Sequence, residues 1–300
     1  MTGKKPLPNY LNFVFGGSAG MMASAVVQPL DLIKNRMQLS GMEGGQKKYK
    51  TSLHAAKSII ASEGVLALYN GLTAGLLRQA TYTTTRLGVY NWLFDLVTGK
   101  EGVQPNFATK VGLGMVAGAC GAFVGTPAEV CLIRMTADGT LPPHERRNYK
   151  HVGDALFRIT KEEGLFTLWR GCLPTMFRAL VVNAAQLSTY SQAKQQLLQT
   201  KYFTENMFLH FCASMISGFT TSVASLPVDI VKTRIQNMKI VDGVPEYKGA
   251  GEALMKIISN EGVLALWKGF TPYYARIGPH TVLTFIFLEQ LNDLYQKFAR

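Results

Sequence analysis

Three prolines mark the chain into thirds. Pro29, Pro127 and Pro227 stand 98 and 100 residues apart, and small residues precede each at the same two distances: Gly16 and Gly20, Gly114 and Gly118, Ser214 and Gly218. Self-similarity at a fixed period identifies a chain assembled from copies of one structural unit. The copies are read as residues 1–103, 104–203 and 204–300, together forming one integrated domain. Small residues four apart share a helix face and let a neighbouring helix approach closely. These six positions are therefore predicted to be helix-packing sites.

What surrounds the prolines decides the solvent. No Asp, Glu, Lys or Arg occurs between Tyr10 and Leu30 or between Val111 and Ala128, and Asn206 to Val228 holds only His210 and Cys212 as ionisable side chains. Gly71 to Phe94, Gly171 to Ala193 and Gly269 to Leu288 are equally apolar apart from scattered arginines and His280. A composition of 47% hydrophobic and 17% charged residues also suits a soluble protein. The long uncharged runs point to lipid instead, because crossing a bilayer core takes about 20 helical residues. The prediction is an all-α membrane protein of six transmembrane helices, with both termini on one side.

Between the two spans of each repeat lies a short amphipathic stretch, preceded by Tyr49-Lys50, Tyr149-Lys150 or Tyr247-Lys248 and ended by Glu63-Gly64, Glu163-Gly164 or Glu261-Gly262. In the first copy Leu53, Ala56, Ile59 and Ile60 fall at helical spacing, with Gly64 as a left-handed stop. About a dozen residues are too few to span, so a helix lying on the membrane surface is expected. Tyr69-Asn70-Gly71, Trp169-Arg170-Gly171 and Trp267-Lys268-Gly269 then open the next span as headgroup-level anchors.

Charge recurs in register as well. Two residues after each proline stand Asp31, Glu129 and Asp229, and five residues after stand Lys34, Leu132 and Lys232, with Arg36, Arg134 and Arg234 two further on. If the units surround a common axis, each acid reaches the base of a neighbouring unit and the ring closes one mouth of a central path. Such bridges are individually weak, about 1 kcal/mol or less when wet, which suits a gate that must open. Seven residues after each span-opening glycine stands Arg78, Arg178 or Arg276, with Arg86 a further eight along. An arginine at a helix centre costs about 2.5–3.5 kcal/mol on insertion scales. With no carboxylate expected in the spans to neutralise them, the four arginines point to a wet cavity that holds an exchangeable anion. The planar guanidinium fork fits carboxylates and phosphate alike, and several forks suit a dicarboxylate best.

Other chemistry finds no home. Gly16-Gly17-Ser18-Ala19-Gly20 matches a nucleophile elbow, but that motif needs a strand before its serine, and the other repeats place Val116 and Ile216 there. No catalytic residue or metal site is predicted, and Cys120, Cys131, Cys172 and Cys212 lack Cys-x-x-Cys spacing. The net charge of +12 is mixed with acids and forms no aromatic-interleaved patch, which fits anionic lipid and substrate rather than nucleic acid. Lys4 and Lys5 precede Pro6 without an apolar core, so no removable presequence is expected.

The thrice-repeated proline, acid and base, followed by Glu-Gly and an aromatic-base-Gly, resembles the signature of the mitochondrial carrier family across the whole chain. That resemblance implies three two-helix repeats around a pseudo-threefold axis, each with a short interfacial matrix helix, a monomeric transporter and bound cardiolipin as its lipid. It places the chain in the mitochondrial inner membrane with both termini toward the intermembrane space. It pairs Glu129 with Lys232 and Asp229 with Lys34 in a matrix gate, with Gln38 and Gln236 as bracing glutamines. Asp31 is left facing Leu132, so this gate lacks one bridge; Asn70 also departs from the usual base. A cytoplasmic network is expected near Tyr90-Asn91 with Phe94, Tyr190-Ser191 with Lys194, and Leu288-Glu289 with Asn292, where no repeat carries both acid and base. Arg78, Arg178 and Arg276 inherit the family's substrate contact points. The strings Arg78 to Arg86, Val182 to Gln186 and Pro272 to Arg276 resemble the branch that exchanges 2-oxoglutarate for malate, with Arg86 as a further substrate residue. A general dicarboxylate or phosphate carrier, an anion or proton leak, and a scaffold that has lost transport are the other readings.

Overall fold

The computed structural model describes residues 9–40, 49–98, 106–200, 204–238, 240–241 and 244–298; Lys4, Lys5 and the repeat junctions at 103 and 203 lie outside them. Six long helices of 27 to 31 residues dominate: α1 (Asn9–Leu39), α3 (Leu72–Thr98), α4 (Phe107–Ala137), α6 (Cys172–Gln199), α7 (Met207–Asn237) and α9 (Phe270–Phe298). Between them come the short helices α2 (Ser52–Glu63), α5 (Val152–Glu163) and α8 (Ala250–Glu261), of 12 residues each. A two-residue hairpin, β1 (Ile240–Val241) with β2 (Val244–Pro245), precedes α8 in an otherwise all-α architecture. The long helices form a closed ring. α1 packs on α3, α4 on α6 and α7 on α9 within repeats, and α3 on α4, α6 on α7 and α9 on α1 between them.

Local chemistry explains the element ends. Asn106 and Asn206 accept the amides of Thr109 and Leu209 at 2.8 and 3.0 Å, satisfying donors that the first turns of α4 and α7 leave free. After each short helix the chain turns sharply, by 118° between Ser52–Glu63 and the helix that follows. The turn runs through two glycines of positive φ, Gly64 and Gly71 at 85° and 84° in the first repeat, a region closed to side chains with a Cβ. Gly64 has ψ 169°, so it stops α2 from the extended mirror region rather than the left-handed helical one. The apolar residues of α2 divide between two faces. Ala55 and Ile59 are buried, whereas Leu53 and Ile60 are 66% and 40% exposed.

Pro29, Pro127 and Pro227 lie inside α1, α4 and α7, and each helix continues for two to three turns beyond. A proline cannot donate to the carbonyl four residues back. In the third repeat Trp267 Nε1 donates to that carbonyl, Val223 O, at 3.1 Å, so the aromatic before Gly269 repairs the bond its proline removes. Three apolar clusters, one per repeat, knit each proline-bearing helix end to its short helix. They are centred on Leu32 and Ile59, on Met135 and Ile159, and on Ile230 and Ile257. The core therefore sits at one end of the ring. By length and composition alone α4, α6 and α7 are apolar enough to span; α3 and α9 carry polar side chains that face inward, with outer residues such as Trp92, Leu96, Phe285 and Leu294.

The predicted packing glycines separate into two kinds. A Cβ on Gly118, Gly218 or Gly20 would meet Asn183, Ile277 or Gln79 at 2.4, 2.6 and 3.3 Å, so the second small residue of each pair is a true close approach. Gly114 touches Leu187, and Ser214 is half-buried. A Cβ on Gly16 would meet nothing within 4 Å, so Gly16 is not a close-packing site in this structure.

Candidate functional site

At the core end the proline-bearing helices converge, and their last turns are buried even where charged. Arg36, Arg134 and Arg234 are 0%, 0% and 2% exposed. Each pairs with the glutamate ending its own short helix: Arg36 and Arg134 fork onto Glu63 and Glu163, with Nη2 at 2.8 Å in both, while Arg234 gives Nη1 alone to Glu261 at 2.5 Å, with Lys268 on the other Glu261 oxygen and Nη2 on Ser40 O at 3.4 Å. Each also donates its Nε–H to a carbonyl of the next repeat, in cyclic order: Arg36 to Thr136 at 2.9 Å, Arg134 to Gln236 at 3.5 Å and Arg234 to Gln38 at 3.2 Å. Burial pushes the Glu163 and Glu261 carboxyls up, but the guanidinium against each pulls it below its ordinary range. Sequence reasoning named these arginines but missed this seam. The recurrence of Arg with Glu-Gly at fixed separation was the available signal.

One layer inward lies the acid–base ring. Lys232 Nζ donates to Glu129 at 2.6 Å, and Lys34 pairs with Asp229. Gln38 Nε2 donates to Asp229 at 3.0 Å, held by Thr233 Oγ1 on its oxygen, so Gln38 braces as expected. Gln236 does not brace the Glu129 pair; its Nε2 donates to Thr175 Oγ1 at 3.2 Å. Asp31 is not idle opposite Leu132. It receives Arg276 Nη1 at 2.5 Å, while Arg178 Nε lies against Asp229. The Arg178 contact is an ion pair without hydrogen-bond alignment. The expectation that no carboxylate neutralises the span arginines is therefore overturned for Arg276 and Arg178, which meet Asp31 and Asp229, the acids two residues past Pro29 and Pro227.

Above this floor opens a cavity of about 350 Å³. Arg78, Arg86, Arg178, Arg276, Lys34 and Lys232 line it with Asp31, Glu129 and Asp229, leaving three positive charges in excess. Arg78 differs from its two counterparts in that no acid lies within ion-pair distance of it among the described residues; its Nε, like that of Arg178, is buried without a hydrogen-bond partner. One helical turn beyond the three arginines stand Tyr82, Val182 and His280, all in the cavity wall. Sequence reading missed them, although spacing of four on the same face was the signal. His280 Nε2 lies 3.4 Å from Ser24 Oγ, tying α9 to α1.

At the opposite mouth two polar pairs stand out among the described residues. Tyr190 OH meets His210 Nδ1 at 2.5 Å, and Lys194 pairs with Glu205 at 2.8 Å, both joining α6 to the start of the third repeat. Tyr90 stacks on Phe94 within α3. Of the residues aligned for a second network, Tyr190 and Lys194 thus find partners outside the aligned positions.

The family model described as mitochondrial carrier protein matches three times, over residues 5–101, 103–201 and 203–299. The mitochondrial 2-oxoglutarate/malate carrier protein of Homo sapiens is 64% identical over 97% of this chain and 92% of its own length. That of Caenorhabditis elegans is 62% identical over 100% and 97%. Mitochondrial uncoupling protein 4 of Arabidopsis thaliana is similar at 42% identity over 96% and 99%. Six helices in a closed ring, repeating in thirds that each match one family's unit, leave no ambiguity of class: the chain belongs to the mitochondrial carrier family.

Proposed function

We propose that this transporter exchanges 2-oxoglutarate for malate or a related dicarboxylate across the mitochondrial inner membrane by alternating access. The observation that carries the reading is the cavity lined by six cations and three carboxylates. A dianion offsets most of the excess charge, and paired guanidinium forks fit its two carboxylates. Identity of 62–64% to carriers named for 2-oxoglutarate and malate supports the same substrates. Arg78, Arg86, Arg178 and Arg276 are the substrate residues in this reading, and the ring of Asp31, Lys34, Glu129, Asp229 and Lys232 is the matrix gate. Both termini then face the intermembrane space, the protein works as a monomer, and cardiolipin is its lipid.

Transport by this route needs no covalent chemistry. Substrate binding offsets the loss of gate bridges, and an empty cavity restores them, so return without a counter-substrate is slow. Reconstituted protein is expected to take up labelled 2-oxoglutarate only into liposomes preloaded with malate or another dicarboxylate. Competition by dicarboxylates but not by phosphate or ATP completes the assignment. Uptake into empty liposomes at the same rate, or current without a counter-substrate, refutes exchange.

A further inference from the structure

The threefold pattern makes the missing base of the second repeat informative. Lys34 pairs with Asp229 and Lys232 with Glu129, so symmetry sets position 132 against Asp31. Leu132 has no charge to offer there. Its side chain lies against Gly71 and Gly75, much as the Lys34 stem lies against Gly269. Asp31 is occupied all the same, by Arg276 at 2.5 Å.

We infer that Arg276 is the third base of the closed gate, so that one side chain locks the empty carrier and binds substrate in the loaded one. The inference rests on the arginine cavity being the dicarboxylate site. The two engaged arginines are not equivalent. When Arg178 leaves Asp229, Lys34 and Gln38 still hold that carboxylate. When Arg276 leaves Asp31, no other cation pairs with that acid among the described residues. Arg78, without an acid of its own, receives an incoming carboxylate first. The second carboxylate of a dianion then draws Arg276 from Asp31 and opens one bridge of the gate. A monocarboxylate held at Arg78 leaves that bridge closed. Two carboxylates are needed because one binds and the other unlocks.

Restoring the absent base separates these roles. In Leu132→Lys the new ammonium takes Asp31, and the stem fits because Lys34 adopts the same packing on Gly269. Arg276 is then free, and substrate no longer opens its bridge. KM for 2-oxoglutarate in the exchange assay is expected to fall about fivefold or more, the low end of coupling between linked sites, while the maximal exchange rate falls. KM and maximal rate both within twofold of the parent overturn the inference. Should that variant not fold, Asp31→Asn decides: a lower KM with faster substrate-independent efflux supports it, and an unchanged or higher KM overturns it. A parent that exchanges no dicarboxylate sinks the transport reading instead. The pairing is then read from unliganded melting temperatures of Asp31→Asn, Arg276→Gln and the double variant. Non-additive shifts support Arg276 as the gate's third base, and additive shifts overturn it.

Discussion

Replacing Glu261 by glutamine removes the charge that compensates two buried cations. Arg234 is 2% exposed, and the side chains of Glu261 and Lys268 are 3% and 13% exposed. Breaking a buried ion pair by removing one partner costs about 3–5 kcal/mol, and in a chain of this size each kcal/mol moves the melting temperature by about 2 °C. E261Q is therefore expected to melt about 6–10 °C below the parent in detergent. The three repeats supply their own controls. Glu163 pairs with Arg134 at the equivalent position with its side chain 28% exposed, so water screens the exchange and E163Q should lose less than half as much. E63Q, at 13%, falls between. Equal shifts in all three variants, or a larger one for E163Q, refute the reasoning that burial sets the worth of each link.

Two other expectations concern stability. Gly118→Ala puts a methyl group 2.4 Å from the Asn183 amide, itself bonded to Ala179 O at 2.7 Å, and should cost about 1–3 kcal/mol by overpacking. Gly16→Ala meets nothing within 4 Å and should be neutral or stabilising by about 0.5–1 kcal/mol, as alanine for glycine within a helix; thermal unfolding of both variants checks the contrast. Glu163 and Glu261 titrate below their ordinary range when folded, so their contribution is complete above the unfolded carboxylate value near about 4.3 and is lost as pH falls toward the depressed values. The melting temperature should hold between pH 7 and 5 and drop below about pH 4, with E261Q losing part of that acid sensitivity.

The repeat, the spans and the cavity arginines were legible because each leaves a mark in one dimension: a period, an uncharged run, a cation where lipid tolerates none. Asp229 with Lys34 and Glu129 with Lys232 were paired through the family resemblance, spacing alone saying only that each acid meets a base of a neighbouring unit. The partner of Asp31 could not be found that way. Arg276 reaches it from α9, 245 residues away, and the closure of α9 on α1 brings them together. The destinations of Leu53 and Ile60 were open for a related reason: on a membrane surface an apolar side chain has two apolar destinations, the protein and the lipid, and periodicity does not say which. The same ambiguity made Gly16 look like Gly20, since a small residue in a helix announces room for a neighbour but not its presence.

The buried arginines seal the core end through main-chain carbonyls at the ninth residue past each proline, which is Gln38, Thr136 or Gln236. Any side chain presents the same carbonyl, so these positions can drift, as a threonine between two glutamines illustrates, without unfastening the seam. A circle of three also has no terminal member to cap. Excising one repeat strips a guanidinium of its acceptor on one flank and leaves a carbonyl without its donor on the other. A single third of this chain is a unit of sequence and of ancestry, but its buried end becomes whole only when the third copy meets the first.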